Sequence, residues 1–225
     1  MSGFQWDWAF TWDVLPMILS AAKVTLLATL LGSIFAIAMG LVFALLRRSK
    51  SRTLRTSIYW VVEFIRSTPL LVQIFFLYYV MPEFGVGMSP LATGVFALGL
   101  HYGAYLSEVF RSGIDSIEKG QWEAARALNL SLVDTYRDIV LPQAIRPMIP
   151  ATGNYIIAMF KETPQLSAIT LLEMLQIAKI IGSENFRYLE PFTLVGIMYL
   201  LFSVIAAYGI YQIEKRFPKE GFSLK

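Results

Sequence analysis

Residues 121–142, QWEAARALNLSLVDTYRDIVLP, form a polar segment of 22 residues between long apolar runs. Residues 121–128 are good helix formers, and Asn129 can take the left-handed conformation that ends a helix. Ser131 with Asp134 three residues on is an N-cap signal for a second helix running to Val140, which Pro142 is expected to stop. The spacing therefore predicts a short helix–turn–helix. A structured, charged loop standing off a membrane suggests that something on its side grips it.

The composition says why a membrane is implied. Of 225 residues, 56% are hydrophobic and only 16% charged, with a mean hydropathy of +0.57, a balance that leaves too little polar surface for a soluble domain. Three uncharged runs, 24–46, 84–107 and 191–213, are each long enough to cross a hydrocarbon core of about 30 Å. There is no cysteine, so disulfides and thiolate metal sites are excluded. The single histidine, His101, lies inside an apolar run and reads as packed and hydrogen-bonded. No Lys or Arg precedes Lys23, so a basic signal-peptide start is missing, and Trp6, Trp8 and Trp12 suggest an interfacial amphipathic segment. The net charge of +3 does not imply nucleic acid, because the charges gather in segments flanking the apolar runs.

Those segments fix an expected topology. Residues 57–81 are apolar apart from Glu63 and Arg66, and 147–163 are short and hold Pro147, Pro150, Gly153 and Asn154. With five spans (about 20–46, 57–81, 87–110, 147–163 and 190–213), the N-terminus outside and the C-terminus inside, 14 of the 19 Lys and Arg residues fall in inside segments. A four-span arrangement would put a basic segment on the wrong side. The expectation is an all-α integral membrane protein, one domain over 1–225, with the 120–142 loop in the cytoplasm. Residues 166–181, with apolar positions at helical spacing, read as an outer interfacial helix.

The pattern Glu123-Ala124-Ala125, three residues, Asn129, nine residues, then Ile139-Val140-Leu141-Pro142 resembles the EAA loop of ABC importer permeases. The resemblance implies that Gln121, Glu123, Ala124, Ala125, Asn129, Leu141 and Pro142 belong to a coupling helix docking on a cytoplasmic ATPase, with Glu123 capping and docking. The family usually has Gly at the position of Asn129; both tolerate positive φ. Residues 64–73, FIRSTPLLVQ, are similar to a stretch of the polar amino-acid permeases, and Tyr105, Glu108, Arg111 and Gly120-Gln121 fit the same group. Residues 161–166, KETPQL, depart from the KDTSL or KNSSL usual there and are most similar to permeases for ectoine and hydroxyectoine.

The sequence has no GxxxxGK[ST] phosphate loop, so ATP and Mg are expected on a partner ATPase and no cofactor on this chain. The resemblance further implies a second permease subunit, identical or homologous, an outer solute-binding protein, and residence in the bacterial cytoplasmic membrane. Five candidate pathway residues each carry two readings. Glu63 and Arg66, at i,i+3, form a structural pair, or Arg66 lines the path. Gln73 and Asn154 bond neighbouring helices or face a cavity. Lys161 and Glu162 pair with neighbouring helices, or supply the cation and anion that a zwitterionic solute needs. The rival functions are a self-contained oligomeric channel or secondary transporter, and a membrane enzyme, for which no metal cluster or nucleophile–base pairing appears in the sequence.

Overall fold

A computed structural model describes residues 5–216. Nine α-helices lie within them: α1 (Trp8–Leu46), α2 (Arg52–Ser67), α3 (Leu70–Phe75), α4 (Pro90–Asp115), α5 (Lys119–Ala127), α6 (Leu132–Asp134), α7 (Leu141–Glu162), α8 (Met174–Asn185) and α9 (Leu189–Arg216). The expected basic residues Lys219 and Lys225 lie outside the described residues.

The centre of the fold is α1 packed along α4. Small residues allow the close approach: a Cβ on Gly40 would meet Leu106 Cβ at 2.9 Å and the Gly103 carbonyl at 3.1 Å. Between apolar helices in lipid, such backbone proximity supplies packing that hydrophobicity cannot. Ala28, Ala36, Leu98, Leu106 and Ile114 are buried along this seam, and α7 closes over it with Met148 and Met159. A second cluster joins the start of α1 to α8 and α9 through Ile18, Met174, Ile181 and Met198.

Two helices, Trp8–Leu46 and Leu189–Arg216, are long and apolar enough to cross a bilayer. The number rises to four if each of two bent pairs is one span: Arg52–Ser67 with Leu70–Phe84, bent by 102°, and Leu132–Ile169 with Met174–Asn185, bent by 47°. The expected span over 87–110 is present as α4 but is not among those four. Its faces are turned to protein along most of its length, so it needs no uniformly apolar surface, and Glu108 and Arg111 lie near its end.

Four local expectations are corrected. The span over 57–81 is not one straight helix, because Thr68 before Pro69 is extended (φ −100°, ψ 131°) and the chain turns there. Pro142 does not stop its helix. A π-helical stretch, Thr135–Val140, leads directly into α7, which then runs through Pro147 and Pro150 for 22 residues, about 33 Å. The tryptophan-rich start is not a separate interfacial segment, since Trp8 and Trp12 ride on the first turns of α1. Residues 166–181 are not one interfacial helix: a buried 3-10 stretch, Thr163–Ile169, ends at Thr170 (φ 62°), and α8 starts at Met174 against α1 and α9.

At the end of the molecule away from the 119–140 segment, Arg187 ties the start of α1 to the turn before α9. Its guanidinium pairs with Asp7 at 2.9 Å and with the buried Glu190, and stacks 5.0 Å from the Phe10 ring.

Candidate functional site

The turn and the second helix start of the polar segment fold as the sequence predicts, while its far end runs on into α7. Asn129 sits at φ 52°. Its amide donates to the Arg126 carbonyl at 2.9 Å, and the Leu130 amide donates to the Ala125 carbonyl at 3.1 Å. That pair of bonds is a Schellman closure, which satisfies the last carbonyls of α5. Ser131 Oγ accepts from the Asp134 amide at 3.1 Å and so caps the next helix. Trp122 packs edge-on against Tyr136 with centroids 5.5 Å apart, holding α5 to the π-helical stretch. Ala125 is buried in this joint, and Gln121 accepts a hydrogen bond from Gln143 at 3.4 Å. Glu123 is not a cap, for the N-cap of α5 is Glu118; Glu123 and Ala124 stand exposed mid-helix. Leu141 and Pro142 lie at the base of the segment, in the first turn of α7.

At the tip, Leu128, Leu132 and Val133 are 71–72% exposed beside charged neighbours. Large apolar side chains this open, rimmed by polar ones, mark a docking surface. The sequence reading missed them because, among the apolar residues of a helix–turn–helix, only the three-dimensional turn tells inward from outward. Nearby, Asp138 is held below the ordinary carboxylate range by its bond from Arg137 at 2.7 Å.

The second site is a cleft of about 640 Å³ at the α2–α3 break. Arg66, Leu70, His101, Tyr105, Glu162 and Gln165 line it, bringing together α2, α3, α4, α7 and the 3-10 stretch. Arg66 pairs with Glu63 at 2.9 Å, approaches Glu108 at 3.6 Å, and lies 5.2 Å over the Tyr105 ring. It therefore meets both readings, ion pair and cleft wall. Glu162 accepts a hydrogen bond from Tyr102 Oη at 2.9 Å. Tyr155 extends the aromatic wall, 5.6 Å from Tyr105 and 6.3 Å from Tyr102.

Three buried polar atoms of cleft residues have no protein partner: Arg66 Nε, His101 Nδ1 and Gln165 Oε1. His101 is thus buried but not hydrogen-bonded through Nδ1, contrary to expectation. Buried polar groups are nearly always paired, so three orphans on one cleft ask for a polar occupant.

The remaining candidates fall elsewhere. Gln73 donates to the carbonyls of Ile65 at 2.7 Å and Thr68 at 3.0 Å, bridging the break that shapes the cleft. Asn154 and Lys161, seven residues apart, share an exposed face of α7 and do not line the cleft. The cation that shares the cleft with Glu162 is Arg66. His101, Tyr102, Tyr105, Tyr155 and Gln165 carried no local signal as a group, since helices distant in sequence assemble them.

A family model described as binding-protein-dependent transport system inner membrane component matches residues 36–219. Over 99% of both chains, the sequence is 43% identical to a probable amino-acid ABC transporter permease protein of Sinorhizobium fredii. It is 31% identical to the glutamine transport system permease protein of Escherichia coli, covering 94% of this chain and 98% of that one. A solved structure titled as an amino acid ABC transporter with histidines superposes with a TM-score of 0.88 at 32% identity, over 95% of this chain and 100% of the other.

Proposed function

Because the chain belongs to the family of binding-protein-dependent transport system inner membrane components, we propose that it is the permease subunit of an ABC importer for a zwitterionic amino acid or related solute. It is a transport subunit and not an enzyme. The observation that carries the solute class is the cleft, in which one guanidinium and one carboxylate lie among aromatic rings with three polar atoms unsatisfied. A zwitterion offers a carboxylate to Arg66 and an ammonium to Glu162, and its side chain to the tyrosine wall.

In this reading the five expected spans stand N-out and C-in in the cytoplasmic membrane, as one domain over 1–225, with the bent pair α2–α3 counted as one span. The exposed Leu128, Leu132 and Val133 with Glu123 dock on a cytoplasmic ATPase, which binds ATP and Mg. A second permease subunit covers the open face of α7 with Asn154 and Lys161, and an outer solute-binding protein delivers the ligand. Alternating access follows as ATPase closure moves the 120–142 loops and rocks the spans. Ectoine and hydroxyectoine rest on residues 161–166 alone, whereas the relatives described above are named for amino acids, so an α-amino acid is the first candidate.

The test is ATP hydrolysis by the full transporter in proteoliposomes, with its cognate binding protein and a panel of amino acids, ectoine and hydroxyectoine. Several-fold stimulation by one zwitterionic solute supports the reading. Solute uptake by this chain alone, without ATP, would replace it with a channel or secondary transporter.

A further inference from the structure

The end of the molecule bearing the 119–140 segment also carries a second cleft, of about 420 Å³, that the transport reading leaves unused. Arg47, Arg48, Arg55 and Arg111 line it with Tyr59 and Asp115. Its charges do not balance. Arg47 and Arg111 both bond Glu108, which Arg66 also approaches, and Arg48 and Arg111 both bond Asp115. Two carboxylates thus serve three of the four lining guanidinium groups. Arg55, exposed on the first turn of α2, is in no ion pair among the described residues.

Excess guanidinium in an open cleft matches an oxyanion, and the planar fork fits phosphate in particular. The surroundings say which phosphate. Tyr59, whose ring lies 5.3 Å from the Arg47 guanidinium, stands edge-on to Trp60, and Trp60 is 65% exposed. Farther along the same helix Phe64 is 71% exposed, and Leu45 on α1 is 48% exposed. An aromatic pair beside a basic cleft, followed by bare apolar surface, is the arrangement of a headgroup site with room for acyl chains above it. A soluble anion would use the arginines and leave that surface idle.

We propose that this cleft binds the phosphodiester headgroup of an anionic phospholipid, with Arg55 donating to it and the acyl chains lying along α1 and α2. Placement in the inner leaflet rests on the permease reading; the binding itself does not. The phosphate of phosphatidylglycerol has no choline cation of its own to neutralise it, so the cleft selects that lipid over phosphatidylcholine.

The experiment delipidates the full transporter in detergent, titrates it with phosphatidylglycerol or phosphatidylcholine, and counts retained lipid by native mass spectrometry. Retention of phosphatidylglycerol over phosphatidylcholine is expected. Arg55→Gln should weaken that retention about fivefold, the effect of one basic residue at a membrane surface. Arg52→Gln, one turn away on the same helix and outside the cleft, should leave it unchanged. Equal loss in both variants would reduce the effect to diffuse surface charge and overturn the site. Equal retention of the two lipids, or displacement of phosphatidylglycerol by millimolar inorganic phosphate, would overturn the lipid assignment. Co-purification of the ATPase, scored in the same samples, reports separately on assembly, so its failure counts against the transport reading and not against lipid binding.

Discussion

Pro69 and the prolines of α7 do opposite things to the backbone. At Pro69 the chain turns by 102°, whereas Pro147 and Pro150 lie within one uninterrupted 22-residue helix. Each proline removes one amide donor and crowds the carbonyl four residues back. The difference lies in what serves the freed groups and in where the preceding residue goes. Before Pro69, Thr68 is extended, its hydroxyl donates to the Phe64 carbonyl at 2.7 Å, and Gln73 bridges the carbonyls of Ile65 and Thr68. The break is held by side chains, and the cleft with Arg66 and Glu162 opens beside it. At the entry to α7, Pro142 is instead accommodated without a break. The π-helical stretch Thr135–Val140 widens the helix before Pro142, and Gln143 donates to the Ile139 carbonyl at 2.8 Å. A proline thus breaks a membrane helix where side chains have been supplied to hold the break.

The sharpest way to test that contrast is Gln73→Leu. It leaves the Thr68 carbonyl without a donor and the Ile65 carbonyl with only the Thr68 amide at 3.4 Å, at about 1–3 kcal/mol for a buried group left unsatisfied. Uptake should fall at least tenfold while insertion into the membrane persists; uptake within twofold of wild type would show that the break holds itself. Pro147→Ala is expected to act in the other direction and more weakly. Alanine in a helix interior avoids a penalty of up to about 3 kcal/mol, so thermal unfolding of the transporter should rise by a few degrees with uptake little changed. A large loss of uptake would mean that Pro147, like Pro69, shapes the path.

The smallest effect is expected at the far end, where neither kind of proline acts. The Phe10 amide, at 3.0 Å, and Arg187 hold the Asp7 carboxyl below its ordinary value of 3.8, against the opposing effect of burial. A depressed carboxyl contributes stability above its ordinary pKa and loses it as pH falls through the depressed folded value. Asp7→Asn should therefore flatten the acid limb of stability below about pH 4 and change little near neutrality. An unchanged acid limb would remove Asp7 from the account of that end.

What the sequence made legible divides along the same line. The turn at Asn129 and the cap at Ser131 are local devices whose partners lie within five residues, so residue type and spacing suffice to place them. The cleft is not local. Arg66, His101, Tyr105 and Glu162 come from three helices, and only packing brings them together. Lys161 and Glu162 read as the cation and anion for one solute, yet adjacent residues point about 100° apart on a helix, which leaves Lys161 exposed and only Glu162 at the cleft. The prolines mislead in both directions, since the sequence does not predict the break at Pro69 and does predict a stop at Pro142. The signal that decides their effect sits in other residues: Gln73 downstream of Pro69, and the π-helical stretch upstream of Pro142. The run over 84–107 is legible because it carries no charge, and it is present as α4, although its glycines, tyrosines and His101 keep it out of the helices that pass on hydropathy.

The central claim is that Arg66 and Glu162 hold a zwitterion across one cleft. The direct measurement is the half-saturating solute concentration for uptake by proteoliposomes carrying Glu162→Gln, set beside Lys161→Ala. Loss of a charged hydrogen-bond partner contributes about 1.5–3 kcal/mol, so Glu162→Gln should raise that concentration at least tenfold. Lys161→Ala should leave it within about threefold, as expected for a residue outside the cleft. An unchanged value in the Glu162→Gln transporter, assembled and hydrolysing ATP, would contradict the account.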